Sequence, residues 1–198
     1  MRLSNALVIF AACAFILDAT AVLADGSGRF PGKGSVEAYN RSCRLGNKAS
    51  ELARRGDYKG AERLDRQAIA VYPYDSASFH NLGNDLEKLG MLDEAILQQQ
   101  KAIDIEPNML AAWLAMGTEF ELKRNLKEAE RCYRKAVQIA PNEYGSLASL
   151  GEILRQQCKF TEAMPYLLKA KASPGCKKVP PDEIQEIIDA CKRKDCSN

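Results

Sequence analysis

The sequence predicts an all-α fold, a right-handed α-solenoid in which helix–turn–helix pairs stack one upon the next. A unit of 34 residues repeats four times without insertion or deletion, at 42–75, 76–109, 110–143 and 144–177. Within each unit, large apolar residues recur at intervals of three and four, which places them on one face of a helix. A fixed period of this length is typical of stacked helix pairs, because each pair buries its apolar face only against its neighbours.

Each unit contains two helical stretches separated by a turn, and a small residue recurs at one position of each stretch. These residues are Ala49, Gly83, Gly117 and Gly151 in the first stretch and Ala61, Ala95, Ala129 and Ala163 in the second. A glycine inside a helix costs up to about 1 kcal/mol relative to alanine, so its recurrence predicts a close approach of the partner helix. A proline then ends the second stretch of the first three units, since it lacks the N–H that would continue the helix.

The third unit has the clearest motif, which is Trp113-x-x-Met116-Gly117-x-x-Phe120 followed by Ala129, Tyr133, Ala136 and Pro141. This pattern resembles the tetratricopeptide repeat, a 34-residue helix–turn–helix unit, and the resemblance covers residues 42–177. Asp65 and Gln99 stand where the family usually places a bulky aromatic or aliphatic residue, and Gly175 stands where its proline is expected. The resemblance implies a concave groove lined by the first helix of each repeat.

Residues 1–24 have the three-part form of a secretory signal peptide. Arg2 precedes an apolar run from Ala6 to Leu17, and Ala21 and Ala24 offer two cleavage positions. The run is too short to span a bilayer, and no later segment is apolar enough to do so. We therefore expect an exported protein, periplasmic or secreted, with an uncleaved anchor as the alternative. Residues 25–41 combine a glycine-rich tether with the start of the first helix, for which Ser35 is the expected N-cap.

The segment 178–198 is predicted to form a capping helix and a tail. Its apolar residues Ile184, Ile187, Ile188 and Cys191 make one stripe at helical spacing, and charged residues occupy the opposite face. A helix of this kind covers the last repeat with one face and meets water with the other.

The charge balance excludes nucleic acid as an expected partner. The chain has a formal net charge of +2, without the basic excess that phosphate binding requires. The second repeat differs from this average, because it has 2 basic and 6 acidic side chains, a net charge of −4. Its field would bias the choice of partner.

The resemblance also implies which side chains line the groove. They are Asn47, Arg54, His80, Asn81, Asn84, Lys88, Thr118, Glu121, Glu152 and Arg155. An asparagine suits an extended peptide, since its amide offers both donors and an acceptor to a backbone. The family's clamp for chaperone tails needs cations that Ala115, Gly145 and Ser149 do not supply, so that specialisation is not expected. No cofactor or metal site is predicted, because neither zinc-ligand spacing nor a haem motif is present.

Six cysteines remain after removal of the signal segment, and none forms a C-x-x-C pair. An exported chain meets an oxidising compartment, so disulfides are expected. We expect the terminal helix to return toward the turn that contains Cys158, which favours a bond from Cys158 to Cys191 or to Cys196. Cys132 with Cys158 is the alternative. Cys43 is expected to be free or to form an intermolecular link.

These observations favour a non-catalytic protein–protein interaction module, an exported adaptor or scaffold that binds a peptide or a partner helix in its groove. One alternative is a structural subunit of an envelope or secretion complex, held through its convex face or its ends. A thiol-redox enzyme acting through Cys191 and Cys196 is the alternative of another class. No nucleophile–base pair supports it, and His80 has no visible catalytic partner in the sequence.

Overall fold

The computed structural model describes residues 33–173, 175 and 181–194, and this part of the chain forms nine helices and no strand. The helices are α1 (Lys33–Arg54), α2 (Tyr58–Val71), α3 (Ser76–Lys88), α4 (Leu92–Ile105), α5 (Leu110–Leu122), α6 (Leu126–Ile139), α7 (Tyr144–Gln156), α8 (Phe160–Ala172) and α9 (Pro181–Arg193). The all-helical prediction is confirmed. The proposed signal segment and most of the tether lie outside the described residues.

The helices pack in chain order, so the molecule is a stack of helix pairs. Each helix contacts the next one along the chain, from α1 against α2 to α8 against α9. The helices α3, α5 and α7 begin at Ser76, Leu110 and Tyr144, the residues at which the second, third and fourth sequence units begin. The right-handed sense of the superhelix stays a prediction.

Acidic and amide side chains cap several of the helices. Asp57 accepts from the Gly60 N–H at 2.9 Å, Asp75 from the Ser78 N–H at 3.1 Å, and Glu143 from the Gly145 N–H at 2.8 Å. Each of these bonds satisfies an N–H group that has no partner within its own helix. The predicted cap at Ser35 is wrong, because α1 begins two residues earlier, at Lys33.

The recurring glycine of the first helix lies directly against the second helix of its own repeat. A Cβ atom at Gly117 would lie 2.5 Å from Cε1 of Tyr133, and one at Gly83 would lie 2.5 Å from Nε2 of Gln99. At Gly151 it would meet Cδ2 of Leu167. No real Cβ tolerates such separations, so the close approach predicted from the sequence is confirmed.

The turn within each repeat requires a left-handed backbone at one position. Gly56 and Gly90 occupy it with φ angles of +84° and +79°. Arg124 and Cys158 occupy the same position in the next two repeats with φ angles of 58° and 60°. A side chain in this region contacts the following carbonyl unfavourably, so these two turns are strained where the first two are not.

The apolar core is concentrated toward the C-terminal half. Leu147, Leu150, Ile153 and Leu154 of α7 pack with Tyr133 and Leu167, and Ile184, Ile188 and Cys191 of α9 complete the cluster. These three residues of α9 are at most 2% exposed, so the helix shields the last pair as its apolar stripe indicated. No helix of the described residues is long and apolar enough to cross a membrane.

The close glycine contact generates a stability prediction with a matched control inside the same chain. Gly117→Ala is expected to lower the free energy of unfolding by about 1–3 kcal/mol, because the new methyl group must displace the buried Tyr133 ring. Gly46→Ala in α1 meets nothing within 4 Å and is expected to raise stability by up to about 1 kcal/mol through helix propensity. Urea unfolding followed by circular dichroism measures both. Equal effects of the two substitutions would contradict the assigned packing.

The strained turn gives an independent prediction. Arg124→Gly is expected to raise the free energy of unfolding by up to about 1 kcal/mol, since glycine adopts a positive φ without steric conflict. Gly90→Ala is expected to lower it by a comparable amount. Thermal unfolding of the two variants beside the parent measures both, and stabilisation by Gly90→Ala would show that the turn geometry is wrong.

Candidate functional site

The helices α1, α3 and α5 lie on one side of the stack. α1 contacts α3 and α3 contacts α5, across the second helix that separates them in sequence. Repeat folds of this kind have their concave groove on the side of the first helices, so we call this side the inner one. Both pockets described below are lined mainly by residues of α1, α3 and α7.

Several of the side chains predicted for the groove are accessible to solvent. Asn47, Arg54, Lys88 and Thr118 are exposed, and Asn81 is half-buried. The two cations are not free, because Arg54 forms an ion pair with Glu51 and the Lys88 ammonium lies 3.0 Å from a Glu87 carboxylate oxygen. The accessible inner surface therefore offers amides and hydroxyls more readily than uncompensated positive charge.

His80 and Asn84 belong to a hydrogen-bonded network that extends into the core. His80 Nδ1 lies 2.9 Å from Gln99 Oε1, and Asn84 Nδ2 lies 3.1 Å from His80 Nε2. Gln99 Nε2 donates to Asn84 Oδ1 at 3.2 Å and to Glu119 Oε1 at 3.3 Å. The donors and acceptors match when the imidazole carries its proton on Nδ1 and accepts at Nε2. Both predicted groove residues thus also support the packing between α3, α4 and α5.

Buried acids are the feature of this region that the sequence analysis missed. Asp65 is 1% exposed, Asp85 is 5% exposed and Glu119 is fully buried. Asp65 and Asp85 share a hydrogen bond, and one oxygen each of Asp65 and Glu119 has no hydrogen-bond partner within the described residues. The available signal was the pair of departures at Asp65 and Gln99, where polar residues replace the bulky ones of the family.

Burial raises the pKa of all three acids, because it penalises the charged form. The pKa of Asp65 rises to about 8, with the charge of Asp85 and their hydrogen bond adding to the effect of burial. The pKa of Asp85 rises to about 6, since the hydrogen bond from Asp65 partly offsets its burial. The pKa of Glu119 rises to about 8 despite the hydrogen bond from Gln99.

A pocket of about 390 Å³ lies between α5, α7 and α9. Its lining consists of Glu121, Tyr144, Gly145, Ala148, Ser149, Glu152 and Ile187. Glu121 accepts hydrogen bonds from the Tyr133 hydroxyl at 3.0 Å and from Gln156 at 2.9 Å. Arg155 was predicted as a groove cation, but it is 5% exposed and its guanidinium donates to both oxygens of Glu152. Its charge is therefore compensated within the fold.

Two of the disulfide predictions are wrong. Cys158 takes part in a disulfide, whereas Cys132 and Cys191 are free thiols, which excludes both Cys158–Cys191 and Cys132–Cys158. The physical reason is orientation, since Cys191 faces inward in the core cluster while Cys158 is exposed at a turn. The remaining version, with Cys196, lies outside the described residues. Cys43 forms no disulfide within the chain, and both of its expected states, a free thiol or an intermolecular link, stay predictions.

The two buried free thiols offer no activated nucleophile. Burial raises the pKa of Cys132 to about 12 and also raises the pKa of Cys191, so both remain protonated at neutral pH. A thiolate is the reactive form of cysteine in redox chemistry and in catalysis. Among the described residues, no group of three histidine, cysteine or acidic side chains is placed to hold a metal ion.

Comparison with known families finds tetratricopeptide repeats in this chain. A family model described as "Tetratricopeptide repeat" matches residues 76–109 and 110–143, and a second one of the same description matches residues 44–72. Together they cover the first three sequence units almost entirely. No characterised protein sequence matches the chain at a significant level.

Solved structures similar to this chain are tetratricopeptide domains. The first such domain of Spaghetti (RPAP3), bound to the HSP90 peptide SRMEEVD, superposes with a TM-score of 0.58 at 18% identity, over 60% of this chain and 94% of that one. The tetratricopeptide domain of Arabidopsis OM64 superposes with a TM-score of 0.57 at 19% identity, over 59% of this chain and 96% of that one. The second tetratricopeptide domain of human RPAP3, in complex with the HSP70 peptide SGPTIEEVD, superposes with a TM-score of 0.56 at 17% identity. The match covers 59% of this chain and 97% of that one. At these identities the likeness establishes the fold.

The raised acid pKa values generate a pH prediction. A carboxyl whose pKa is higher in the folded state binds more protons there than in the unfolded chain, so its contribution to stability is present at low pH and is lost as pH rises through the folded value. For Glu119, this stability is lost between the pKa of the unfolded chain, near 4.3, and the pKa of the folded state, about 8. Glu119→Gln is therefore expected to flatten the fall in unfolding free energy across this range and to stabilise the protein by about 1–3 kcal/mol at its upper end.

The measurement is urea unfolding at several pH values between about 5 and 9, and Asp104→Asn serves as the control because it removes an exposed acid on α4. Three further acids raise these pKa values through their charge. Glu87 acts on Glu119, Asp75 acts on Asp65, and Glu62 acts on Asp85. Parallel pH profiles for the parent and Glu119→Gln would contradict the assigned burial.

Proposed function

We propose that this chain is a non-catalytic protein-interaction module, exported from the cytoplasm, which binds an extended segment of a partner protein along its inner groove. The observation that supports this most strongly is the inner surface itself, where successive first helices present amides, hydroxyls and pockets to solvent within a repeat fold that similar domains use to bind peptides. Amide side chains match the backbone of an extended peptide, because each supplies donors and an acceptor.

The peptide is expected to differ in charge from those bound by the similar domains. The HSP90 and HSP70 peptides in those structures end in the acidic sequence EEVD. In this chain the inner-surface cations Arg54, Lys88 and Arg155 are paired with glutamates, while Asp85 and Glu121 line open pockets. A groove of this composition disfavours an acidic tail through like-charge repulsion.

Export is supported by the sequence and by one cysteine. Residues 1–24 have the form of a signal peptide, and Cys158 is disulfide-bonded, as is common in periplasmic and secreted proteins and rare in the cytosol. We propose a periplasmic or secreted adaptor or scaffold. We also propose that α7 and α8 form a fourth repeat at 144–177, because Gly151 and Leu167 repeat the contact made by Gly117 and Tyr133.

The structural-subunit alternative has less support. An exposed apolar patch on the terminal helix would support this alternative. The large exposed apolar side chains within the described residues are instead Val36, Tyr74, Met91, Leu97, Ile105, Leu122 and Leu168. These lie on or between the earlier helices. Singly exposed apolar residues are normal on protein surfaces and do not by themselves indicate an assembly face.

The groove generates a binding prediction. Asn81→Ala together with Asn47→Ala is expected to weaken binding of a captured partner, with each lost hydrogen bond costing about 0.5–1.5 kcal/mol. Asn47 is exposed and Asn81 is half-buried, so the melting temperature should change little. Asn84 is unsuitable for this test because its substitution would also break the network with His80 and Gln99.

The experiment is affinity capture from the exported fraction of the native cell, followed by titration of the captured protein and of overlapping peptides from its sequence. Lys135→Ala, an exposed change on the second helix α6, is the matched control on the outer surface. If the double asparagine variant retains the partner and Lys135→Ala loses it, the partner binds the outer face and not the groove.

A further inference from the structure

A cavity lies between α1, α2 and α3, apart from the pocket that Glu121 lines. Its volume is about 150 Å³, roughly ten times the 10–15 Å³ that a single water needs. The lining consists of Ser50, Ala53, Asp65, Asn81, Asn84 and Asp85. Asn81 and Asn84 are predicted groove residues, so the cavity adjoins the proposed peptide groove.

The floor of this cavity contains an acid with an unused oxygen. Asp65 is 1% exposed, and its Oδ1 atom is buried without a hydrogen-bond partner among the described residues. A buried acceptor that lacks a donor costs about 1–3 kcal/mol, so this carboxyl is an unusual residue for a repeat core. Asp85 adds a second carboxyl at 5% exposure.

The lining residues themselves supply no cation. Ser50, Asn81 and Asn84 are neutral, Ala53 is apolar and the other two residues are acids. The amide of Asn84 is already engaged, since it donates to His80 and its oxygen accepts from Gln99. Any positive charge that complements Asp65 and Asp85 therefore comes from outside these six residues.

We propose that this cavity is a socket for a single basic side chain, a lysine or an arginine of the partner peptide, whose backbone lies along Asn81. The inference rests on the proposed peptide-binding function and specifies the chemistry of the partner. A flexible stem delivers the ammonium or guanidinium to acids below the groove surface. The net charge of −4 on residues 76–109 attracts such a peptide from a distance.

The test uses the full chain and pools of nonapeptides with blocked ends. The central residue is fixed as lysine, arginine, norleucine or glutamate, and the flanking positions are randomised among uncharged residues. Fluorescence polarisation measures the affinity of each pool at physiological salt. We expect the lysine or arginine pool to bind at least about tenfold more tightly than the norleucine pool, as a charge-assisted hydrogen bond in a buried site provides.

Two variants locate the preference. Asp85→Asn removes one acid of the lining with little change of shape, and Ala53→Met fills the cavity from α1 while both acids remain in the sequence. Both are expected to abolish the preference for the basic pools. Asp104→Asn removes one exposed acid from α4 and is expected to leave the preference intact.

The outcomes separate this inference from the proposed function. Loss of the preference in both cavity variants, with retention in Asp104→Asn, supports the socket. Equal binding of all pools, weakened by Asn81→Ala, overturns the socket and leaves the peptide groove in place. A basic preference that survives Asp85→Asn and Ala53→Met overturns the socket as well, because the cation then binds elsewhere. Absence of binding by every pool overturns both.

Discussion

The structure depends on one recurring contact, in which a small residue of the first helix lies directly beneath a central side chain of the second helix. Gly83 meets Gln99, Gly117 meets Tyr133 and Gly151 meets Leu167, at separations that leave no space for a Cβ atom. The glycine costs helix propensity in return for this approach. Because the contact recurs every 34 residues, it keeps the helix pairs in the same relative position along the stack.

The second-helix side chain that makes this contact differs from repeat to repeat, and the polarity of the core around it differs as well. Tyr133 and Leu167 are large and largely apolar, and the core around them is built from leucine and isoleucine. Gln99 instead extends hydrogen bonds to Asn84 and Glu119, and Asp65 pairs with Asp85. The stack therefore changes from a polar interior at its N-terminal end to an apolar one beneath the capping helix α9. Buried polar groups of this kind reduce stability, and proteins retain them mainly at functional sites.

This gradient shapes the electrostatics of the inner surface. The cations that line it are compensated by neighbouring glutamates, and Arg155 is fully engaged with Glu152 below the surface. Acids remain in both pockets, at Asp65 and Asp85 in one and at Glu121 and Glu152 in the other. The repeat geometry found in the similar domains is thus combined here with pockets lined by acids and with cations that are paired to glutamates. Fold and binding specificity are separable, because the fold follows from the packed positions and specificity from the exposed ones.

The sequence by itself determined the helix pairs, their order and their close contacts, since periodicity and the placement of glycine and proline are local properties of the chain. It also indicated which helices line the groove, through the resemblance to a known repeat. Tertiary structure alone decided which of those side chains remain available. It placed Arg155 in the interior, joined His80 and Asn84 to Gln99, and brought Asp65 beside Asp85 from a different helix. The same holds for the cysteines, where the inward orientation of Cys191 excluded the bond to Cys158 that spacing favoured. These outcomes depend on distances between residues far apart in the chain and on the burial of charge, neither of which a one-dimensional pattern contains.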